Sequence, residues 1–301
     1  MKRRDFVRNT FVLAGGFIVS PSELTAMPFG KKERKITILH TNDTHSNIDP
    51  LPSNHPKFPG MGGVERRSAI INSIRDTEEN VLVLDAGDIF QGTPYFNLFG
   101  GILEMKVMSA MGYDVATIGN HDFDGGLEGF LKASEYAQFP FVCSNYDFSG
   151  TILKDRTVPS VVIEKGGLKI GILGVGIELR GLVPQEKYGN TVFLDPIACA
   201  NREAAALKKK GCELIICLSH LGYSYKDEKV SDLQLARCSR DIHLIIGGHT
   251  HTFLERPTEE TNLDGQTVLI NQVGWGGIQL GRLDFLIEEK IFSRKDSLRV
   301  Q

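Results

Sequence analysis

From Lys35 onward, short apolar runs alternate with longer stretches of mixed character, and turn residues separate them. Ile36 to His40, Val81 to Asp85, Val115 to Ile118 and Phe141 to Cys143 are rich in β-branched and aromatic residues and predict strands. Between them, Val64 to Ile74 carries Val64, Ala69, Ile70, Ile71 and Ile74 on an otherwise charged stretch, a helical pattern that recurs in Ile102 to Met111 and Leu127 to Tyr136. The second half opens on a hairpin, Ser160 to Glu164 and Leu168 to Val175, turning at Gly166-Gly167. A helix from Ala198 to Lys210 leads into a strand at Leu214 to Leu218, and a short helix around Leu233 to Arg237 precedes a strand at Ile242 to Ile246. Val268 to Asn271 and Gly277 to Ile287 read as closing antiparallel strands. Strand and helix alternate twice over, with hairpins between, which predicts an α/β (α+β) fold of two mixed β-sheets packed together with helices outside, a four-layer αββα sandwich. The Pro- and Gly-rich stretch from Asp49 to Gly63 reads as irregular, and the charged tail, 289–301, is expected to fray.

Composition narrows the class. At 301 residues, 41% hydrophobic and 24% charged, the chain can fill one large globular domain, and its net charge of -3 supplies no basic field for a nucleic acid polymer. The first residues read as an address: Lys2, Arg3 and Arg4 precede Phe6 and an apolar stretch from Phe11 to Val19, too short to span a bilayer. Residues 1–34 are therefore expected to be a twin-arginine-type export signal and linker, giving a periplasmic protein. The competing reading is an uncleaved helix that tethers the protein to the membrane. Cys143, Cys199, Cys212, Cys217 and Cys238 form no CxxC pair, so neither a disulfide framework nor a thiolate metal site is expected.

The acids, amides and imidazoles sit where strands end. Asp43-Thr44-His45, Gly87-Asp88, Gly119-Asn120-His121-Asp122, Ser219-His220 and Gly247-Gly248-His249-Thr250-His251 each follow a strand, and loops at the carboxyl edge of a sheet are where open α/β folds place their sites. Imidazole with carboxylate suits Zn, Mn or Fe. Two carboxylates, one amide and four imidazoles are too many for one tetrahedral ion and enough for two if one carboxylate bridges, an arrangement used for in-line displacement at phosphorus. Taken singly, a Gly-Asp after a strand is more often a turn, and His-Thr-His can be a surface loop; the conjunction of five clusters carries the reading. His40 is read as a core or supporting histidine, His55 as solvent-facing, and His243 as a strand residue without a role.

With these residues in view, the chain resembles the metallophosphatase domain of the bacterial and animal 5'-nucleotidase family, a calcineurin-like fold. Ile36-Thr37-Ile38-Leu39-His40-Thr41-Asn42-Asp43-Thr44-His45-Ser46 resembles that family's first signature, and Gly119-Asn120-His121-Asp122-Phe123-Asp124 its second, with Asp122 in place of the usual Glu. His251 stands where many members carry Gln or Asn. The resemblance covers 35–288 and implies that Asp43, His45 and His251 hold one divalent ion, that Asn120, His220 and His249 hold the other, and that Asp88 bridges them. It also implies that His121 and Asp124 form the catalytic dyad, with Asn120 orienting an oxygen. Zn or Mn is the expected metal, with Fe and Co as alternatives.

The expected activity is hydrolysis of a phosphate monoester, a nucleotide first among them, by attack of a metal-bridging hydroxide. A 2',3'-cyclic-nucleotide phosphodiesterase and a sulfur-ester hydrolase are the enzymatic rivals. Because the family's C-terminal substrate domain has no counterpart after Glu288, a further reading makes this chain the catalytic subunit of a complex whose partner chain resembles that domain.

Overall fold

The computed structural model describes residues 34–287 and 291–300. The export signal expected before Arg34 lies outside the described residues. The first half runs β1 (Arg34–Thr41), α1 (Val64–Arg75), β2 (Val81–Asp85), α2 (Pro94–Phe99), α3 (Ile102–Met111), β3 (Val115–Ala116), a 3₁₀ turn (His121–Phe123), α4 (Gly126–Ser134), β4 (Phe141–Val142), β5 (Tyr146–Asp147) and β6 (Thr157–Val158). The second half runs β7 (Ser160–Lys165), β8 (Leu168–Gly176), α5 (Gln185–Tyr188), β9 (Val192–Phe193), α6 (Pro196–Lys209), β10 (Leu214–His220), α7 (Asp232–Cys238), β11 (Leu244–Gly247), β12 (Thr258–Thr261), β13 (Thr267–Asn271), β14 (Gln279–Ile287) and β15 (Ile291–Arg299).

The strands form one sheet in the order β15-β14-β1-β2-β3-β4-β6, a second in the order β12-β13-β11-β10-β8-β7, and a small β5-β9 ribbon. Both large sheets are mixed: β1, β2, β3, β4 and β6 run parallel with antiparallel β14 beside β1, and β8, β10, β11 and β13 run parallel between antiparallel β7 and β12. Successive side chains on a strand point to opposite faces, and the core is divided accordingly. Ile36, Ile38, Leu82 and Leu84 of the first sheet meet Leu214, Ile216, Leu218, Leu244 and Ile246 of the second in one central core. Leu39, Val81 and Val83 point the other way, onto a layer containing Ile71, Met105 and Phe130 of α1, α3 and α4. Ile215, Cys217 and Ile245 face Ala200, Ala204, Leu207 and Leu235 of α6 and α7. Three cores between four layers give the αββα sandwich, and burial on both faces explains why the central strands read as unbroken apolar runs.

Two short helices and several short strands had no clear sequence signal. The segment after Glu288 departs from expectation: 291–299 does not fray but forms β15, paired antiparallel with β14 from Gln279↔Arg299 to Ile287↔Ile291. It covers an edge that β14 would otherwise expose, and its charged composition suits an edge strand.

For the site, the parallel registers matter most. Thr41 of β1 lies level with Asp85 of β2, Asp85 with Ala116 of β3, Ser219 of β10 with Gly247 of β11, and His220 with Gly176 of β8. The loops that carry the polar clusters therefore leave neighbouring strands at matching heights along one edge of each sheet.

Candidate dinuclear metal centre

The five loops converge. Ligand atoms of Asp43, His45 and His251 lie within 4.8 Å of one another, and so do those of Asp88, His220 and His249. Asp88 joins the two groups: its Oδ2 is 3.0 Å from His220 Nε2 and 3.9 Å from His45 Nε2. Asp43 reaches across as well, with Oδ1 3.4 Å from His251 Nε2 and 3.9 Å from both His45 Nε2 and His220 Nε2. Asn120 Oδ1 is 2.7 Å from His249 Nδ1. All seven residues expected as ligands are thus brought together. His121 sits at their margin, its backbone N–H donating to Asp88 Oδ1 at 2.8 Å and its Nδ1 facing Asp124 Oδ2 at 2.8 Å.

The backbone is strained where these side chains are presented. Nine described non-glycine residues have positive φ, and Asp43, His45, Asp88, His249 and His251 are five of them. Such conformations cost about 1–3 kcal/mol each and cluster at functional sites. Glycines let the loops come close. A Cβ on Gly119 would stand 2.1 Å from Asp88 Oδ1, and one on Gly248 would stand 2.8 Å from His220 Nδ1 and 3.1 Å from Asp43 Oδ2.

Hydrogen bonds aim the rings. His220 Nδ1 is 2.7 Å from the Ala86 carbonyl and His45 Nδ1 is 3.2 Å from that of Phe90. With Nδ1–H donating to a carbonyl, each ring turns a free Nε2 into the centre, the usual arrangement for a metal-ligating imidazole. His45 Nε2 then meets His251 Nε2 at 3.0 Å, two nitrogens whose lone pairs are best reconciled by a cation. His220 Nε2 is wholly buried and faces Asp88 Oδ2 at 3.0 Å and Asp43 Oδ1 at 3.9 Å. These features fit two metal ions.

Protonation follows the same logic. Burial, reinforced by the neighbouring His220, pushes the pKa of His249 down to about 4, and burial lowers that of His45 too; both shifts favour the neutral imidazole that ligation needs. His220 is buried as well, but the carboxylates of Asp88 and Asp43 outweigh that penalty and lift it to about 10. Asp88 in turn is held below the ordinary carboxylate range, because His220, His45 and His121 overcome its burial. His121 is raised above its ordinary value, first by its hydrogen bond to Asp124.

Several supporting residues were missed in the sequence. Asp122, noted only as a departure from the family's Glu, is 0% exposed and accepts four backbone N–H groups: Ile89 (2.9 Å) and Phe90 (3.1 Å) at Oδ1, Asp88 (3.0 Å) and Gly119 (2.8 Å) at Oδ2. Asn42 donates to Asp43 Oδ2 (2.6 Å) and the Gly274 carbonyl (2.6 Å) while accepting from Val273 N (2.9 Å). Gln272 ties Gly248 to Thr250 and Thr252. Gln272 directly follows β13, so the strand-end rule that picked out the candidate ligands would have found it too. Among the other histidines, His40 is a core residue bonded to Asn271, with its pKa lowered by burial to about 3. His243 accepts the Ile215 N–H and has no place in the centre. His55, expected in solvent, is half-buried: its ring stacks on Phe58 and leans against Trp275, which itself stacks on His251.

The convergence defines the class. The model of the calcineurin-like phosphoesterase family matches residues 36–253, and the chain belongs to that family. It is 33% identical over 277 residues to the snake venom 5'-nucleotidase of Gloydius brevicauda, covering 85% of this chain and 46% of that protein. It is 33% identical over 269 residues to the NAD 5'-nucleotidase of Haemophilus influenzae, covering 82% and 43%. The crystal structure of the 5'-nucleotidase precursor from Thermus thermophilus superposes with a TM-score of 0.81 at 32% identity, covering 88% of this chain and 54% of that one. The chain thus spans about half the length of the curated relatives it matches. Calcineurin-like phosphoesterases use a dinuclear metal centre, and the two ligand groups described above are this chain's candidate for it.

Proposed function

We propose that the protein is a 5'-nucleotidase-like phosphomonoesterase that acts on nucleotides and requires two divalent ions, Zn or Mn. The observation that carries this reading is the pair of ligand groups spanned by Asp88 with the His121–Asp124 pair at their rim. Asp43, His45 and His251 would hold one ion, Asn120, His220 and His249 the other, and Asp88 both. Such ions, when bound, supply Lewis acidity that neutralises phosphoryl charge and makes water nucleophilic at neutral pH.

The chain's own residues do the rest. His121, whose pKa the hydrogen bond to Asp124 raises, stands half-exposed beside the candidate ligands, where in its protonated form it can bind a phosphoryl oxygen and give a proton to the departing alcohol. Asp124 holds that ring's orientation and tautomer. The Asn120 side chain fixes His249 from the same loop. Relatives named as 5'-nucleotidases favour this reading over cyclic-phosphodiester and sulfur-ester hydrolysis. We read the N-terminal address as directing export, with this chemistry outside the cytoplasm.

The test is phosphate release from an aryl phosphate and from nucleoside monophosphates by the purified chain, with added Mn, Co or Zn and after chelation. Metal-dependent release is expected, and His121→Ala should reduce kcat by about 10²-fold or more while metal content stays intact. A chain that binds no metal, or one that binds two ions and releases phosphate from no ester, defeats the proposal.

A further inference from the structure

A small cavity is lined by Thr44, Ser46 and Ile89 of the loops that carry candidate ligands, and by Arg67 of α1 and Glu104 and Met108 of α3. All of these residues are at most 6% exposed. A buried charge is costly unless it is paired and hydrogen-bonded, and a guanidinium cannot escape the cost by losing its proton. Yet Nε and Nη1 of Arg67, both carboxylate oxygens of Glu104 and Oγ of Ser46 are buried with no hydrogen-bond partner among the described residues. The carboxylate and the guanidinium therefore share a cavity without meeting directly. It leaves about 10 Å³ free to the centre of a water molecule, at the lower end of the roughly 10–15 Å³ that one water needs. Such a water typically makes about three hydrogen bonds to groups that lack other partners. Guanidinium, carboxylate and hydroxyl supply that number here.

The cavity lies under the candidate metal centre. Ser46 follows His45 and Ile89 follows Asp88, and the Ser46 N–H donates to the Ile89 carbonyl at 2.9 Å. The guanidinium also packs against a third loop: a Cβ on Gly277 would stand 2.1 Å from Arg67 Nη1, and the neighbouring Gly276 N–H donates to the Asp43 carbonyl at 2.7 Å. Ser46 has positive φ, as Asp43, His45 and Asp88 do, so the surroundings must hold its backbone in place.

We propose that one ordered water in this cavity bridges Arg67, Glu104 and Ser46, and that the bridged pair positions the loops carrying Asp43, His45 and Asp88. The inference rests on the two-ion reading above and adds to it a positioning device made of residues outside the candidate ligand set. The water and its effect are tested apart. A crystal structure of the full chain that resolves ordered water should place one within hydrogen-bonding distance of all three side chains. A direct Arg67–Glu104 contact with no water between them overturns the bridge.

Arg67→Met and Glu104→Met each strand one buried charge and should lower Tm by about 6–20 °C, whereas the double replacement should return Tm to within about 5 °C of the parent. Metal retention against a graded chelator should nevertheless stay about tenfold weaker in the double variant, because the loops have lost their bridge. A double variant that regains its Tm and holds metal as the parent does makes the pair purely structural and overturns the positioning role. Ser46→Ala keeps both charges and removes only the third partner, so it remains informative if a single charge variant does not fold. It should weaken metal retention about threefold, and unchanged retention there overturns the positioning role as well. A parent chain that holds no ion removes the two-ion reading together with that role, while a parent that holds two ions as firmly as every variant removes the role alone.

Discussion

Replacing Asp122 with Ala removes a carboxylate that touches no candidate ligand side chain yet fixes the backbone of three loop residues and of Gly119 before Asn120. The acceptor is fully buried, so four N–H groups lose their partner at once. A buried N–H left unsatisfied costs about 1–3 kcal/mol. If water entering the vacated volume restores two of the four, the remaining two amount to roughly 2–6 kcal/mol. For a chain of this size that is a fall of roughly 4–24 °C in Tm, at about 2–4 °C per kcal/mol. The damage should also reach the metals, because Asp88 is the residue whose backbone is released; supporting partners of this kind are typically worth about 10–100-fold in metal affinity. Asp122→Glu restores the family's more common acid but adds a methylene to a filled site, and overpacking of that kind costs about 1–3 kcal/mol. The assay is a thermal melt with and without metal, followed by metal content after dialysis against a graded chelator. A melt of Asp122→Ala within 2 °C of the parent, with both ions retained, refutes this account of the loop.

Asp124 is the largest cause of the raised pKa of His121, so Asp124→Asn lowers it. A general acid is active while protonated, and the descending alkaline limb of kcat against pH should therefore move to lower pH; a limb that stays in place shows that another group controls it. Gly248→Ala forces a Cβ to within 2.8 Å of His220 Nδ1 and 3.0 Å of the Ala86 carbonyl, which breaks the bond that aims His220. Chelator titration should show weaker metal retention by about 10–100-fold, with the fold preserved by circular dichroism. Added Zn or Mn at a hundred times its Kd should stabilise the folded chain by about 2.7 kcal/mol per ion; an unchanged Tm on metal addition contradicts the centre.

The candidate ligands were legible because their chemistry and their position coincide. A glycine, then an acid or imidazole, at the end of an apolar run is a local pattern, and the fold turns it into a site by aligning strand ends. The layers were legible for a similar reason: residues such as Ile215 and Ile216 are both apolar although they face different cores, so a run with no alternation marks a strand buried on both sides. What remained hidden depends on distant partners. Nothing local shows that Asp122 accepts N–H groups from a loop more than thirty residues earlier, or that His55 stacks near Trp275. The segment that becomes β15 is read from its own charge as a tail, and only the open edge of β14 makes it a strand.

The candidate ligands and the scaffold that holds them are partly the same atoms. Both oxygens of Asp43 accept the backbone N–H of His249 at 3.0 Å, so a candidate ligand of one ion fixes the loop that carries a candidate ligand of the other. Asp88 Oδ1 likewise accepts the N–H of His121 while Oδ2 faces His220. Positive φ at Asp43, His45, Asp88, His249 and His251 is strain that no glycine can relieve without removing a ligand. It is therefore offset by cross-loop bonds, of which those from Asn42, Asp122 and Gln272 are the densest. A change at one loop is transmitted to the next through these bonds, which is why positions that never touch an ion, such as Asp122 and Gly248, are expected to govern whether one is held.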